Sequence, residues 1–503
     1  MTDSKVKKNS DIYRSILKGF SLFGSVQVLQ IVVNLVRGKL VALFLGPEGM
    51  GISALFTSAS QTVQRFASLG LNLAIVKEVA AGKEDAGTLG TALGVARRLI
   101  ILTSLFGALV CVFGSRWLSQ TTFHNTAMAP MFMLLGIAVF LSIFYNGVLA
   151  LLQGLHEVGR ISKASLVSAL AGLLVGVPLY WWLGYDGIVP AMVLLALTMA
   201  LFYTLALRKA LRERQHQRIR FSWQSHRPIV VRLIGLGIIL MISDLIGSGC
   251  TYILNVFLNS VGSTDTVGLY QGANSLTTQY SGMVFSALAL DYFPRLSAVA
   301  GDNEEMRSVV NRQIEMVGYI VTPIVCGLIL TAPLVIELLL TSRFETVTPL
   351  MRWMGLGVML KALMFPLGYI AFAKDNKKVF LWLEGITGNL LTLGMSAAGF
   401  LLFGLIGLGY GMVADCCLCF IIYYVVNRRL YSFRLDARAM RGMAVSTLLC
   451  TGTFAASFLP SALLSYILMG TVAVSSVAVS VWMLRRRLRH DRQTAPDDNA
   501  DGA

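Results

Sequence analysis

Fourteen stretches of mostly apolar residues follow one another along this 503-residue chain, at 19–45, 50–75, 93–118, 128–151, 162–183, 187–208, 229–258, 267–293, 313–340, 348–373, 378–402, 405–427, 441–459 and 463–484. Each approaches or exceeds the roughly 20 residues that cross the hydrocarbon of a bilayer as a helix. In lipid every backbone polar group must be satisfied within the chain, so a run of such stretches leaves only helices as spanning elements. Charge content agrees: 14% of residues are charged, where soluble domains carry about 25%. The sequence predicts an all-α polytopic membrane protein with about 14 transmembrane helices.

An even number of spans puts both termini on one side, and lysine and arginine say which. Tail 1–18 carries five, 77–98 four, 208–232 eight, 428–441 five and 485–492 five. With three shorter basic segments they hold 35 of the 42 basic residues, and under this count all of them lie on one face. That face is cytoplasmic by the positive-inside rule. The net charge of +16 is therefore a matter of topology, not of nucleic acid. The first apolar stretch is too long for the core of a cleavable signal peptide. The expected division is a cytoplasmic tail (1–18), an N-lobe of six spans (19–208), a basic linker (209–228), a C-lobe of six spans (229–427), a C-terminal helix pair (428–484) and a disordered cytoplasmic tail (485–503). Loops on the opposite face, such as 46–49 and 184–186, are too short to carry an extracytoplasmic catalytic domain.

Within the oil lie ordered polar residues. Gln27, Gln30, Asn34 and Arg37 recur at steps of three, four and three; Thr57, Gln61, Gln64 and Ser68 recur at four, three and four. Those steps put each set on one helical face. A polar stripe inside a span faces protein or a water-filled cavity. The second stripe returns 217 residues later, where Asn274, Thr278 and Ser281 fall on Thr57, Gln61 and Gln64. Both copies cross in the same direction, the mark of a parallel repeat about an axis along the membrane normal.

The segments GKLVALFLGPEGMGISALF, DTVGLYQGANSLTTQYS, YFPRLS and LLLTSRFETVTPLMRWMGLGVMLKALMFPLGYIAFAK resemble the flippases of lipid-linked O-antigen and enterobacterial common antigen units. These belong to the multidrug/oligosaccharidyl-lipid/polysaccharide exporter (MOP) superfamily. The resemblance covers roughly residues 15–430. It implies two pseudo-symmetric six-helix lobes in a V-shaped bundle, to which this chain adds its C-terminal helix pair. It also implies an undecaprenyl-diphosphate oligosaccharide as cargo, carried from cytoplasmic to periplasmic leaflet of a bacterial inner membrane. Membrane lipids are expected neighbours, with a polysaccharide polymerase and chain-length proteins as further candidate partners.

Charges within the spans need a reason, since each costs at least about 2.5 kcal/mol at the bilayer centre. Arg37, Lys39, Arg65 and Lys361 are the candidate cavity cations, with Gln27, Gln30, Asn34, Gln61, Gln64, Asn274 and Thr278 as hydrogen-bonding partners for sugar hydroxyls. Guanidinium forks suit the oxygens of a diphosphate. Arg37 and Lys39 lie about 200° apart on their helix, so both cannot face one cleft. Snorkelling to the outer interface is the competing reading for either. Asp244, Asp291 and Asp415 read either as sites for a driving proton or sodium ion or, for Asp244, as a counter-ion for Lys361 or Arg65. Arg352 is expected at the interface, the cysteines as packing residues, and Pro178, Pro323, Pro333 and Pro366 as kinks in their spans.

The sequence shows neither a metal-ligand spacing nor a nucleotide-binding loop, and no nucleophilic triad can be placed. No enzyme, metal or resident cofactor is expected. A multidrug exporter of the same superfamily is the rival carrier, and a membrane enzyme of polysaccharide synthesis the rival from another class.

Overall fold

The computed structural model describes residues 2–82, 86–213 and 223–493. The side chains before residue 29, those of residues 30 and 31, most of those from 223 to 240, several between 279 and 291, and those after 486 lie outside the description. Among the described residues the regular structure is helical. In chain order the α-helices are α1 (Thr2–Ala67), α2 (Leu71–Ala81), α3 (Ala86–Phe113), α4 (Ser115–Phe123), α5 (Ala129–Gly154), α6 (Val158–Leu183), α7 (Ile188–Glu213), α8 (Trp223–Val261), α9 (Thr264–Ala298), α10 (Asn303–Leu339), α11 (Thr348–Ala373), α12 (Lys377–Phe380), α13 (Asn389–Tyr431), α14 (Ala437–Ala456) and α15 (Ala462–Gln493). A π-helical segment, Leu381–Gly388, joins α12 to α13.

Nine stretches among the described residues are long and apolar enough to cross a membrane. Val158–Glu213 and Lys377–Tyr431 each hold two of the spans read from the sequence, and Val32–Ala67 holds the adjoining parts of the first two. The more polar α9 and α14 supply the spans at 267–293 and 441–459.

Three of the short turns between spans have one physical cause. Gly46 (φ 65°, ψ −166°), Gly184 (φ 58°, ψ −129°) and Gly404 (φ 64°, ψ −146°) sit between spans 1 and 2, 5 and 6, and 11 and 12. Positive φ with ψ toward 180° is a region that side chains exclude, so one glycine reorients each pair without a loop. The hairpin at Gly404 is tight: a Cβ on Gly407 would lie 1.8 Å from the Gly399 carbonyl oxygen, the close approach that small residues permit between membrane helices. Helical φ/ψ continues through Pro178, Pro323, Pro333 and Pro366; the non-helical positions inside α1 and α13 are the glycines.

The chain forms two compact units, Met1–Leu269 with Leu339–Thr341, and Tyr270–Leu338 with Ser342–Ala503. Helix α8, which the sequence reading gives to the second lobe, falls in the first unit. Two apolar cores organise that unit, one around Ile75, Val79, Leu152 and Leu155 and one around Phe56, Phe132 and Leu135. Phe56 and Phe132 meet at 5.0 Å between ring centroids.

The second unit has one large core, and the C-terminal pair is part of it. Phe433, Cys450, Phe454 and Met469 pack with Val325, Met359 and Leu363. Trp353 of α11 stands edge-on to Phe454 of α14 at 4.4 Å. Ahead of α14, Arg307 donates through Nη2 to Asp436 Oδ1 at 2.6 Å and through Nε to the Arg434 carbonyl at 3.0 Å. Arg352 is held within the unit, donating to the Ile329 carbonyl at 3.3 Å and bonding Tyr466 of α15. Most cysteines are packing residues, as expected: Cys111, Cys326, Cys416, Cys419 and Cys450 are buried, whereas Cys417 is exposed. Helix α15 runs on to Gln493, so the start of the expected disordered tail is helical; residues 494–503 lie outside the description.

Candidate functional site: charged faces inside the spans

In the first unit the polar face is carried by α1 and α8. Asn34 and Gln61 are exposed on α1, and Arg37 is half-buried, its Nη2 donating to the hydroxyl of the buried Tyr180 of α6 at 3.5 Å. Gln64 turns inward and donates to Ser60 Oγ at 2.8 Å, which spends its amide on its own helix. Arg65 stays accessible, its side chain 53% exposed, and donates through Nη1 to Asp244 Oδ2 of α8 at 2.9 Å. One turn away, Thr62 donates to the Ser248 carbonyl at 3.2 Å, so α1 and α8 are stapled twice.

The chain breaks just after Arg65. Leu69 (φ 50°) and Gly70 (φ 62°) end α1 and begin α2, where the sequence reads one continuous span. Arg65 therefore occupies the last turn of a helix, beside carbonyls that carry partial negative charge. A cation in a membrane segment is held here by a helix terminus and by one carboxylate, without being buried. Gln27 and Gln30 are helical, but their side chains lie outside the described residues, as does that of Asp291. Lys39 is half-buried and engaged.

The second unit has its own charged face. Lys361 of α11 is exposed, and its field reaches two carboxylates, Glu384 and Asp415. Asp415 is 7% exposed; its Oδ2 accepts from Thr392 Oγ1 at 2.7 Å and its Oδ1 from Cys419 Sγ at 3.4 Å. Glu384 is exposed, sits on the π-helical segment and lies against Gly368, where a Cβ would come within 2.2 Å of its Oε1. Such π-helical turns gather at functional positions. The hydroxyl of buried Tyr423 lies beside the Glu384 carboxylate and donates to the Leu383 carbonyl at 3.1 Å. Sequence reasoning missed Glu384, although it is the lone acidic residue of its apolar stretch. Asn274 is half-buried and Thr278 exposed; Thr278 donates back to the Asn274 carbonyl at 2.7 Å. Tyr292, of the YFPRLS segment, ties α9 to α11 by donating to the Pro366 carbonyl at 2.9 Å.

Among the described residues no three or more His, Cys, Asp or Glu side chains converge as metal ligands would. One unit presents a guanidinium with most of its fork open, and the other an ammonium whose field reaches two carboxylates.

The fold is shared with solved multidrug and lipid transporters. A multidrug resistance MATE family transporter of the MOP superfamily, in its inward-facing conformation, superposes with a TM-score of 0.68 at 18% identity, over 80% of this chain and 94% of its own. The lipid II flippase MurJ, in an inward closed conformation, superposes with a TM-score of 0.67 at 14% identity, over 93% and 99%. The chain belongs to the polysaccharide biosynthesis protein family, which it matches over residues 40–349. It is 23% identical over 363 residues to the lipid III flippases of Escherichia coli K12 and Shigella flexneri, covering 71% of this chain and 85% of theirs. The MOP resemblance and the polytopic all-helical fold read from the sequence are borne out.

Proposed function

We propose that this protein moves an undecaprenyl-diphosphate-linked oligosaccharide from the cytoplasmic to the periplasmic leaflet of the bacterial inner membrane by alternating access, with both termini cytoplasmic. The observation that carries the reading is Arg65: an accessible guanidinium within a span, joined to its carboxylate by one of its five N–H donors. A diphosphate leaving water needs such a fork, and a half-open fork can take it without burying an unpaired charge. The likeness to lipid III flippases supports the same class of cargo. The amides and hydroxyls of Asn34, Gln61 and Thr278 suit sugar hydroxyls, and a polymerase of surface polysaccharide with its chain-length proteins is the natural consumer of the product.

The acidic face of the second unit supports coupling to a proton or sodium gradient, with Glu384 joining Asp415 as the candidate residues there. The same acidic groups are what a multidrug or cation exporter would use, the rival reading within the superfamily. One experiment separates the two. In cells lacking this protein, undecaprenyl-diphosphate oligosaccharide accumulates on the cytoplasmic side; restoring the wild type clears it and restoring Arg65→Gln does not. Drug sensitivity without accumulation would instead establish the exporter.

A further inference from the structure

We propose that Asp244 is a displaceable counter-ion: it occupies the Arg65 fork while no cargo is bound, yields it to a diphosphate, and reclaims it so that the anion leaves. This rests on the reading of Arg65 as the diphosphate contact and adds the residue that makes that contact reversible.

Three observations lead there. The pair is open to solvent, with side-chain exposures of 53% and 56%, and exposed ion pairs contribute little to stability. Two charges placed within spans for the fold alone would serve it worse than two apolar residues would. The contact is also single, Nη1 to Oδ2, where an arginine and a carboxylate can form two parallel bonds. The remaining guanidinium N–H groups and Asp244 Oδ1 have no protein partner among the described residues. Finally, the frame around the pair does not depend on it. Thr62 bonds the Ser248 carbonyl one turn away, and the Leu69–Gly70 backbone packs so close to α8 that a Cβ on Gly237 would lie 2.2 Å from the Leu69 carbonyl oxygen. The helices hold their places when the carboxylate swings off.

A carboxylate already in the fork makes anion binding an exchange. An anion with one charge swaps like for like and gains nothing. A diphosphate offers more charge and oxygens spaced to span the fork, so it wins the exchange. Once it moves off, Asp244 supplies the replacement, and Arg65 is never left unpaired in the membrane.

The test is binding of inorganic pyrophosphate and of dimethyl phosphate to the full chain in lipid nanodiscs, in parallel with cargo turnover in cells. Wild type is expected to bind pyrophosphate and not dimethyl phosphate. Asp244→Asn is expected to bind both, with pyrophosphate about tenfold tighter, equivalent to 1.4 kcal/mol, and to clear cargo more slowly because release is retarded. Asp244→Glu keeps a carboxylate and is expected to restore wild-type selectivity, which separates the role from a folding defect. Unchanged or weaker pyrophosphate binding in Asp244→Asn, with Arg65→Gln abolishing it, overturns the counter-ion role and leaves the flippase reading standing. Full pyrophosphate binding by Arg65→Gln overturns both.

Discussion

Replacing Gly268 by alanine is a one-atom test of how α9 meets α1. A Cβ on Gly268 would lie 1.8 Å from the Pro47 carbonyl oxygen, and a Cβ on Gly51 would lie 2.0 Å from the Thr264 carbonyl oxygen, so the two helices touch backbone to backbone. A carbonyl oxygen of a helix cannot rotate aside as a side chain can. Restoring an ordinary contact takes a separation of about 1.6 Å, and overpacking of this kind costs about 1–3 kcal/mol. Alanine returns about 0.5–1 kcal/mol by favouring the helix over the unfolded chain. The net loss for the closed contact is about 1 kcal/mol, which lowers its population relative to opened forms by roughly fivefold. Val267, fully buried beside the contact, is the reporter: in a Val267→Cys background, labelling by a membrane-impermeant maleimide proceeds through transient opening. Gly268→Ala is expected to speed that labelling about fivefold. An unchanged labelling rate, with an unchanged melting temperature in detergent, would refute the claim that this backbone contact holds the start of α9 against the Pro47–Gly51 turn of α1.

Three further outcomes follow from the same coordinates. Asn427, fully buried, donates to the Leu367 and Tyr423 carbonyls at 3.1 and 2.8 Å; Asn427→Leu removes both bonds and should cost about 0.5–1.5 kcal/mol, read as a lower melting temperature. Gln64→Ala should leave cargo clearance in cells within twofold of wild type, because its amide is already bonded to Ser60, whereas neighbouring Arg65→Gln should abolish clearance. Truncation after residue 436 removes Cys450, Phe454 and Met469 from the core of the second unit, and Trp353→Ala removes the ring that meets Phe454 and Tyr410. Both should yield protein that aggregates on extraction, with the point substitution losing about 3–5 kcal/mol; a monodisperse truncated protein would show that the pair is dispensable.

Much of this architecture could be read from residues, because bilayer thickness and the hydrogen-bonding demand of the backbone leave few options. The paired spans meeting at Gly46, Gly184 and Gly404 were legible as short loops. That the same backbone conformation makes each of them was not, since glycine permits many turns. The break at Leu69–Gly70 escaped because an apolar window of 20 residues averages over a single left-handed pair. Arg65 could be singled out by the cost of its charge, and Asp244 as a counter-ion only up to the choice between two cations. Choosing Arg65 needed the packing of α1 on α8. Glu384 was within reach of the same rule of charge in oil that flagged Asp415, but its π-helical setting was not, because a π-turn is selected by the contacts around it rather than by local propensity. The C-terminal pair looks appended in the sequence because its hydropathy resembles that of any span; Phe454 against Trp353 is a tertiary fact.

The charged faces of the two units differ in sign, and that difference bears on how a carrier could use them. On the first, Arg37 and Arg65 outweigh Asp244; on the second, Glu384 and Asp415 outweigh Lys361. An anion approaching the first face meets a cation whose partner yields. Approaching the second, it meets an ammonium whose field two carboxylates share, so under the proposed function anion binding to Lys361 becomes favourable when a cation or proton settles on one of them. Under the proposed function, diphosphate recognition belongs chiefly to the first unit, and the second makes the anion's acceptance conditional on an ion. Neutralising the second face with Glu384→Gln should then relax the dependence of cargo clearance on the ion gradient while leaving pyrophosphate binding at Arg65 unchanged. Gradient dependence that survives this substitution, in a protein that still clears cargo, would break the link between the acidic face and coupling.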